Sequence, residues 1–225
     1  MRQVPYSQTL DRGLRVLEAL AAADGPRSIA DLTKEINVHR SIIYRIVRTL
    51  EDHRLVARRP DGLYELGLGV AALARAVDST LQSAALPELS DLAEDVGMTA
   101  FLVVPDGPDA VTLVSVEPRR THVHVAYRPG GRHPIHRGAP GIAILAGRPP
   151  MPGEPENVTV ARARGWAYSY SEVISGMRSV AAPVVDRRGD VPASVAVVYV
   201  ADEVDTDKLG RRVMAAAAAV AGNLG

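Results

Sequence analysis

The chain has 225 residues, no cysteine, and 26 basic side chains against 26 acidic ones. This length allows one large or two small domains, each able to bury a core of its own. The lack of cysteine excludes a disulfide framework, a thiolate zinc site and cysteine catalysis. The sequence has neither an apolar run of about 18 residues nor a charged-then-apolar leader, so we expect no membrane association and a cytoplasmic location.

The first predicted helix opens at Ser7 and stops at the turn formed by residues 24–26. Its leucines recur at helical spacing; they are Leu10, Leu14, Leu17 and Leu20. We expect this apolar face to pack behind the next two helices.

A capping box marks the start of the second predicted helix, because Ser28 and Asp31 have the S-x-x-D spacing. Asn37 then supplies a turn, since its short polar side chain tolerates the left-handed conformation. A third helix begins near His39, with an apolar stripe at Ile42, Ile43, Ile46, Val47 and Leu50. Two helices joined by such a turn predict a helix-turn-helix.

The opposite face of the third helix is polar and basic. It carries Arg40, Ser41, Tyr44, Arg45 and Arg48. Arginine suits a surface that enters the major groove, because its planar fork donates two hydrogen bonds to guanine or to phosphate. Between residues 39 and 59, six arginines stand against two carboxylates. An ordinary solvated basic face is the alternative interpretation.

A short hairpin follows and favours the DNA-binding interpretation. Residues 55–57 and 63–66 are predicted strands, joined by a turn at residues 60–62. A hairpin directly after a basic helix is typical of a winged helix, and Arg58 and Arg59 would lie at its tip. We therefore predict a winged helix-turn-helix DNA-binding domain over residues 1–66, with double-stranded DNA as its partner.

The rest of the chain predicts a connecting helix and an α+β domain. Residues 67–81 form the connecting helix, and residues 82–225 the second domain, which opens with a helix over residues 87–96. About six antiparallel strands with flanking helices are expected; their positions are 99–104, 111–116, 121–127, 166–172, 179–186 and 192–200. Helices are predicted over residues 141–146, 158–164 and 205–224, and a loop over residues 130–134.

Two features of the second domain could carry chemistry. Four histidines lie close together in sequence (His122, His124, His133 and His136), so a metal-dependent sensor or enzyme is one alternative. Sheet-face or loop histidines without a metal are the other, since no cysteine or nearby carboxylate joins them. The Gly138–Gly141 turn into a helix is either structural or an anion cradle. Nucleotide-binding and nucleophile-elbow motifs are absent, so we expect no cofactor and no enzyme activity.

The chain resembles the IclR family of bacterial transcriptional regulators. The matching motifs lie at residues 7–20, 41–50, 131–146, 164–168 and 176–183. The resemblance implies a winged helix-turn-helix, a connecting helix used in dimerisation, and a GAF-like effector domain. It also implies a homodimer or a dimer of dimers on an operator with paired half-sites, controlled by a small molecule, often a carboxylic or aromatic acid.

Carried over by matched motif, the resemblance implies an effector pocket. Its residues would be Gly138, Ala139, Ser169, Met177, Ser179, Ala196 and Val198. Carboxylate-binding members place an acidic residue, a cysteine and two serines where this chain has Ser169, Ser179, Ala196 and Val198. The implied pocket has fewer donors and more apolar wall, which favours an aromatic or apolar acid; a regulator that has lost effector control is the alternative.

The resemblance also has a gap. Members usually carry helices between residues 147 and 158, where this chain has a Pro-rich loop. One wall of the implied pocket is therefore expected to be open or rebuilt.

Overall fold

The computed structural model describes residues 7–74, 79–119, 129–200 and 203–224. The chain divides into two compact units, Met1–Asp78 and Ser79–Gly225. Each unit has its own buried cluster of apolar side chains, as expected of domains that could fold separately. Within the described ranges, no helix is both long and apolar enough to cross a membrane.

The first unit is a winged helix-turn-helix. Its described elements are α1 (Gln8–Ala22), α2 (Ile29–Ile36), α3 (Arg40–Asp52), β1 (Val56–Arg58), β2 (Tyr64–Leu66) and α4 (Leu68–Ala74). The two strands pair antiparallel and form the wing. Val16, Leu32 and Ile43, one from each of the first three helices, are fully buried and form the centre of the core.

The predicted signals around α2 are confirmed. The Ser28 hydroxyl accepts from the Asp31 N–H and the Asp31 carboxylate accepts from the Ser28 N–H, each at 3.1 Å. The Ser28 hydroxyl also donates to this carboxylate and lowers the pKa of Asp31. Asn37 ends α2 in the left-handed region, with φ of 58°. The sharp turn into α3 is therefore set by residues that the sequence already identifies.

The prediction for the buried face of α1 was only partly right. Leu20 is buried and Leu17 packs against the core, but Leu10 and Leu14 are 63% and 51% exposed. The buried stripe runs instead through Gly13, Val16, Ala19 and Leu20. Gly13 faces α3, where a Cβ would lie 3.8 Å from Ile46. The stripe is therefore rotated from the leucine positions towards the smaller residues Gly13, Val16 and Ala19.

The predicted connecting helix over residues 67–81 is only partly covered by the described residues. Residues Leu68–Ala74 form α4, residues 75–78 lie outside the described residues, and residues 79–81 belong to α5 (Ser79–Val96) of the second unit, which continues through Pro87. A proline inside a helix costs about 3 kcal/mol or more. Here the apolar stripe of α5 is continuous across it, with Leu81 and Leu89 buried on one face and Pro87 exposed on the other. Burial of apolar residues before and after the proline thus stabilises a continuous helix.

The second unit is an α+β domain. After α5, its described elements are β3 (Thr99–Asp106), β4 (Asp109–Val116), β5 (Arg132–Pro134), α6 (Gly138–Gly147), α7 (Glu156–Arg164), β6 (Ala167–Tyr170), β7 (Arg178–Val184), β8 (Ala193–Tyr199) and α8 (Thr206–Asn223). The strands form one antiparallel sheet in the order β5-β4-β3-β8-β7-β6.

The sheet differs from the prediction at one position. Strand β5 falls where a loop was predicted, because residues 132–134 pair with residues 109–111 of β4. The predicted strand at residues 121–127 lies outside the described residues. The other five predicted strands are confirmed, with shifts of one to a few residues at their ends.

Helices cover both faces of the sheet. Helices α5 and α8 pack on one face, and α6 and α7 on the other. Ala167, Ala181 and Ala196 lie opposite one another on adjacent strands of the second face. This row of small side chains leaves room for α6, in which every residue from Gly138 to Ile144 is buried.

Helix α6 is held closely at both of its ends. A Cβ on Gly141 would collide with the backbone carbonyl of Ile135, and one on Gly147 would lie 2.7 Å from Pro183. The helix begins at Gly138, three residues before the predicted start, and Gly138 has φ of 77°. A left-handed conformation at that point favours glycine.

Candidate functional site

The exposed face of α3 contains the five helix residues predicted to bind DNA. They are Arg40, Ser41, Tyr44, Arg45 and Arg48, and all are exposed. An α-helix has about 3.6 residues per turn, so these positions fall on one side. The opposite side carries Ile43, Ile46 and Val47, which are at most 6% exposed. The helix is thus fixed by its buried stripe and presents a polar face to solvent.

The arginines of this face have no acidic partner within the described residues. Arg40, Arg45 and Arg48 form no ion pair there. His39 caps the helix, since its Nδ1 accepts from the Ser41 N–H at 3.4 Å and lies 2.8 Å from the Ser41 hydroxyl. These contacts hold Ser41 in the first turn. The face therefore offers three uncompensated positive charges and a positioned hydroxyl.

The wing carries less free charge than predicted. The Arg59 guanidinium pairs with the carboxylates of Asp61 and Glu65, each at 3.3 Å. Hydrogen bonds to Glu65 and then Asp61 raise the pKa of Arg59. Arg58 is exposed, with its guanidinium carbon 5.9 Å from the centre of the Tyr64 ring. Of the two predicted wing residues, Arg58 is thus free to contact another molecule, while Arg59 is already engaged.

An open groove of about 600 Å³ lies between α1 and α3. Its polar lining includes Thr9, Arg12, Arg45 and Thr49. Arg12 therefore shares a surface with Arg45, and sequence reasoning did not single it out.

The predicted effector residues converge on one cavity beside the N-terminus of α6. Five of the seven line it: Gly138, Ser169, Met177, Ser179 and Val198. Ser169, Ser179 and Val198 form a row across β6, β7 and β8, which Thr99 of β3 extends. The remaining two, Ala139 and Ala196, are fully buried and are not among the lining residues.

This cavity is small. Its volume is about 20 Å³, which is room for one water molecule. Ligand pockets usually measure about 300 to 1,000 Å³. Residues 147–158 contribute nothing to its described lining, so the shortened loop does not form the wall that was expected to be open or rebuilt.

Sequence reasoning missed the residues that close the cavity. They are Pro140, Glu172, Val173 and Ile174. The Glu172 carboxylate accepts from the Gly138 N–H at 2.7 Å, and the Ser169 hydroxyl oxygen accepts from the Ala139 N–H at 2.8 Å. An acidic residue between β6 and the turn at Gly176 is the signal that could have identified Glu172. The first two amides of α6 are thus occupied by the chain itself.

The histidine group is only partly described. His122 and His124 lie outside the described residues. His133 is 8% exposed, with Nδ1 3.1 Å from the Pro134 carbonyl oxygen, and His136 is exposed. Within the part of the chain that the structure describes, no three His, Asp or Glu side chains are grouped as a metal site.

Family models match both units. The IclR helix-turn-helix domain matches residues 9–60, and the C-terminal domain of the bacterial transcriptional regulator IclR matches residues 155–223. A probable transcriptional regulator, SauR of Cupriavidus necator, is 31% identical over 217 residues, covering 83% of each chain.

Solved structures share the fold. An IclR regulator from Alicyclobacillus acidocaldarius has 24% identity and a TM-score of 0.77, covering 98% of this chain and 100% of its own. An IclR homologue from Microbacterium hydrocarbonoxydans, solved with 4-hydroxybenzoate, has 21% identity and a TM-score of 0.80, covering 96% and 99%. With both units matched by models of one family and a relative above 30% identity, the chain belongs to the IclR family of transcriptional regulators, which join a DNA-binding helix-turn-helix to an effector-binding C-terminal domain.

Proposed function

We propose that α3 enters the major groove of an operator and that its exposed face reads the sequence. The observation that carries this proposal is the set of three arginines that have no acidic partner among the described residues, opposite a buried stripe. Arg40 and Ser41, in the first turn, are assigned to base edges, with Tyr44 beside them. Arg45, Arg48 and Arg58 are assigned to phosphates, and Arg59 to a supporting role in the wing.

Fluorescence anisotropy with DNA from the region upstream of its own gene tests this assignment. Arg40→Ala or Ser41→Ala should change the preference among base-pair variants, each lost base contact costing about 1–3 kcal/mol. Arg187→Ala, in an exposed turn of the second unit, is the matched control and should leave binding unchanged. If the Arg40→Ala and Ser41→Ala proteins bound each DNA variant with the same affinity as the parent protein, α3 would no longer be assigned as the helix that recognises the sequence.

We propose that the second unit responds to a small aromatic or apolar acid bound by the predicted effector residues. Five of these residues already line one cavity, and its remaining walls include Val173 and Ile174. The similar protein from Microbacterium hydrocarbonoxydans was solved with 4-hydroxybenzoate, an acid of this class. Amides at the start of α6 would hold the carboxylate, and the apolar walls the ring.

The effector proposal is tested by adding 4-hydroxybenzoate, benzoate and phenylacetate to the complex of protein and operator. One of these acids should change the DNA affinity and raise the melting temperature of the protein, because a ligand that binds only the folded state stabilises it. Ser179→Trp, which fills the cavity from β7, should abolish the response without weakening DNA binding.

We propose that the functional unit is a homodimer or a dimer of dimers. Helix α4 supports this, because it has no buried residue and its Leu68 and Leu73 are 89% and 64% exposed. Sedimentation velocity should show a dimer or tetramer, and Leu68→Glu combined with Leu73→Glu should reduce its stability. A monomer at micromolar concentration would overturn this assignment.

A regulator that binds its operator without any effector is the second candidate. The small cavity of about 20 Å³ favours it. Tight operator binding that no acid in the screen alters, together with no shift in melting temperature, would select this candidate over the first.

A further inference from the structure

A short loop between β6 and β7 covers the N-terminus of α6. The loop is internally bonded: the Ser171 N–H donates to the Met177 carbonyl at 2.7 Å, and the Gly176 N–H donates to the Ser171 hydroxyl at 3.1 Å. Ser171 itself has φ of 57°, which is uncommon for a residue with a side chain. This loop, residues 171–177, therefore has one defined conformation rather than a loose path.

The loop places its own anion at the start of α6. The Glu172 carboxylate accepts from the Gly138 N–H at 2.7 Å, and the Arg137 guanidinium donates to the Glu172 backbone carbonyl. The unpaired amides and the dipole of a helix N-terminus attract negative charge. A charge-assisted hydrogen bond of this length is among the stronger ones in proteins. Glu172 thus fills the position at which a ligand carboxylate would bind.

Two other groups at this position show that it is built for more than loop closure. His133 is buried, and its Nε2 has no hydrogen-bond partner within the described residues. The neighbouring Cε1 of the ring lies 3.6 Å from where a Cβ of Gly138 would be. Val173 approaches the same point to 2.7 Å, so the loop lies closer to Gly138 than the sheet residue His133 does. Because Nδ1 of His133 donates to the Pro134 carbonyl, Nε2 is the acceptor nitrogen of the neutral ring. Opening the loop would expose the Gly138 amide, a hydrogen-bond donor to anions, on the side where His133 packs.

We propose that Glu172 is an internal ligand of the effector site, and that a small carboxylic acid binds by displacing its carboxylate from the Gly138 amide and opening the loop at residues 171–177. This inference rests on the proposed effector function of the second unit. Glu172 then determines which ligands bind: a carboxylate can replace the charge-assisted hydrogen bond that is lost, whereas the carbonyl of a neutral amide or ester accepts from the same N–H without the charge. It also sets the affinity, because the apparent dissociation constant rises as the fraction of open loop falls.

The test compares the full chain with Glu172→Ala and Glu172→Gln, using propionate and 4-hydroxybenzoate as probes and propionamide as the uncharged control. Glu156→Ala, at an exposed position of α7, is the matched acidic control. Two readouts are used: the melting temperature, and the Gly138 amide resonance in protein labelled with 15N-glycine. The resonance reports the hydrogen bond itself, so it distinguishes displacement from general stabilisation.

We expect propionate to bind Glu172→Ala roughly tenfold more tightly than the parent chain, as suits the release of one charge-assisted hydrogen bond. Propionate should also shift the Gly138 amide resonance. Propionamide should neither bind Glu172→Ala more tightly than the parent chain nor shift that resonance. Glu172→Gln keeps the shape of the side chain without its charge, so its propionate affinity should lie between those of the parent chain and of Glu172→Ala. Equal propionate affinity in all three proteins, or binding that leaves the Gly138 resonance in place, would overturn the proposal.

The two proposals fail separately. If Glu172→Ala binds propionate at Gly138 but no acid alters operator binding by the parent chain, the internal ligand stands and the effector response falls. If 4-hydroxybenzoate alters operator binding equally in the parent and Glu172→Ala proteins, the effector response stands and the internal ligand is overturned.

Discussion

Arg162 and Glu154 form a 2.6 Å ion pair beside the C-terminus of α6. The Arg162 guanidinium also donates to the backbone carbonyls of Leu145, Ala146 and Arg148. The last carbonyls of a helix have no partner within the helix, so a side chain that reaches them satisfies otherwise free acceptors. One arginine of α7 thereby anchors both the end of α6 and the loop that follows it.

Replacing Arg162 by alanine should lower the free energy of unfolding by about 2 kcal/mol, because a half-buried carboxylate and several carbonyls lose their donor. Urea denaturation followed by circular dichroism measures the change. Arg187→Ala, in an exposed turn, is the control and should stay within about 0.5 kcal/mol of the parent. Equal effects of the two substitutions would show that the Arg162 contacts contribute no stability.

The same pair predicts a pH dependence. The hydrogen bond from Arg162 lowers the pKa of Glu154 below its ordinary value of 4.5. A carboxylate with a lowered pKa stabilises the fold above its ordinary pKa, and this contribution is lost as the pH falls through the lowered value. Glu154→Gln should therefore be less stable than the parent chain at pH 7. The difference should shrink below about pH 4 in urea titrations, and a constant difference down to pH 2 would contradict this linkage.

Tyr199 predicts that the fold loses stability at alkaline pH, whereas the Glu154 pair predicts a loss at acidic pH. It is 4% exposed, its hydroxyl has no partner within the described residues, and burial raises its pKa to about 12. A raised pKa means that the folded state keeps its proton longer than the unfolded state, so stability is complete below pH 10 and lost as the pH rises towards about 12.

Tyr199→Phe should therefore raise the free energy of unfolding by about 1 kcal/mol at pH 8, since it removes a buried hydroxyl without a partner. It should also reduce the loss of melting temperature between pH 10 and pH 12. Thermal denaturation across this range tests both parts, and Tyr44→Phe, at an exposed position of the first unit, is the matched control. A variant that is less stable than the parent chain would indicate a partner for the hydroxyl.

The arginines of α3 and of the wing should differ in DNA binding. Arg45 has no acidic partner in the described part of the chain, whereas Arg59 is paired twice. Arg45→Ala should weaken binding to all sequences and reduce the slope of log affinity against log salt by about 1. Arg59→Ala should change that slope by less than half as much. Fluorescence anisotropy over a salt series measures both, and a larger effect of Arg59 would reverse the assignment.

Local signals made the first unit predictable from sequence. The Ser28 capping box, the turn at Asn37 and the stripe of α3 depend on residues a few positions apart, and each is confirmed. The rotated stripe of α1 was not predictable in this way, because it depends on the contact between Gly13 and a helix some thirty residues later. The continuation of α5 through Pro87 likewise depends on burial against a sheet that the sequence does not display.

The DNA-binding face was more predictable from the sequence than the effector cavity. Helical spacing alone places the exposed arginines of α3 together. The convergence of Ser169, Ser179 and Val198 requires strand register, and it came from the family resemblance and not from the spacing of the residues. Glu172 was missed because its partner, the Gly138 amide, is a backbone group thirty-four residues away. A hydrogen bond to a backbone N–H does not depend on the identity of the donor residue, so it cannot be predicted from a pattern of side chains.

The two glycine contacts of α6 have a mechanical consequence. Gly141 packs against the Ile135 carbonyl and Gly147 against Pro183, so neither end of α6 can move towards its neighbour without a clash. We therefore expect a shift at Gly138 to move α6 as one body. A displacement of the first residue of α6 would then also displace its last residue, about 14 Å away along the axis.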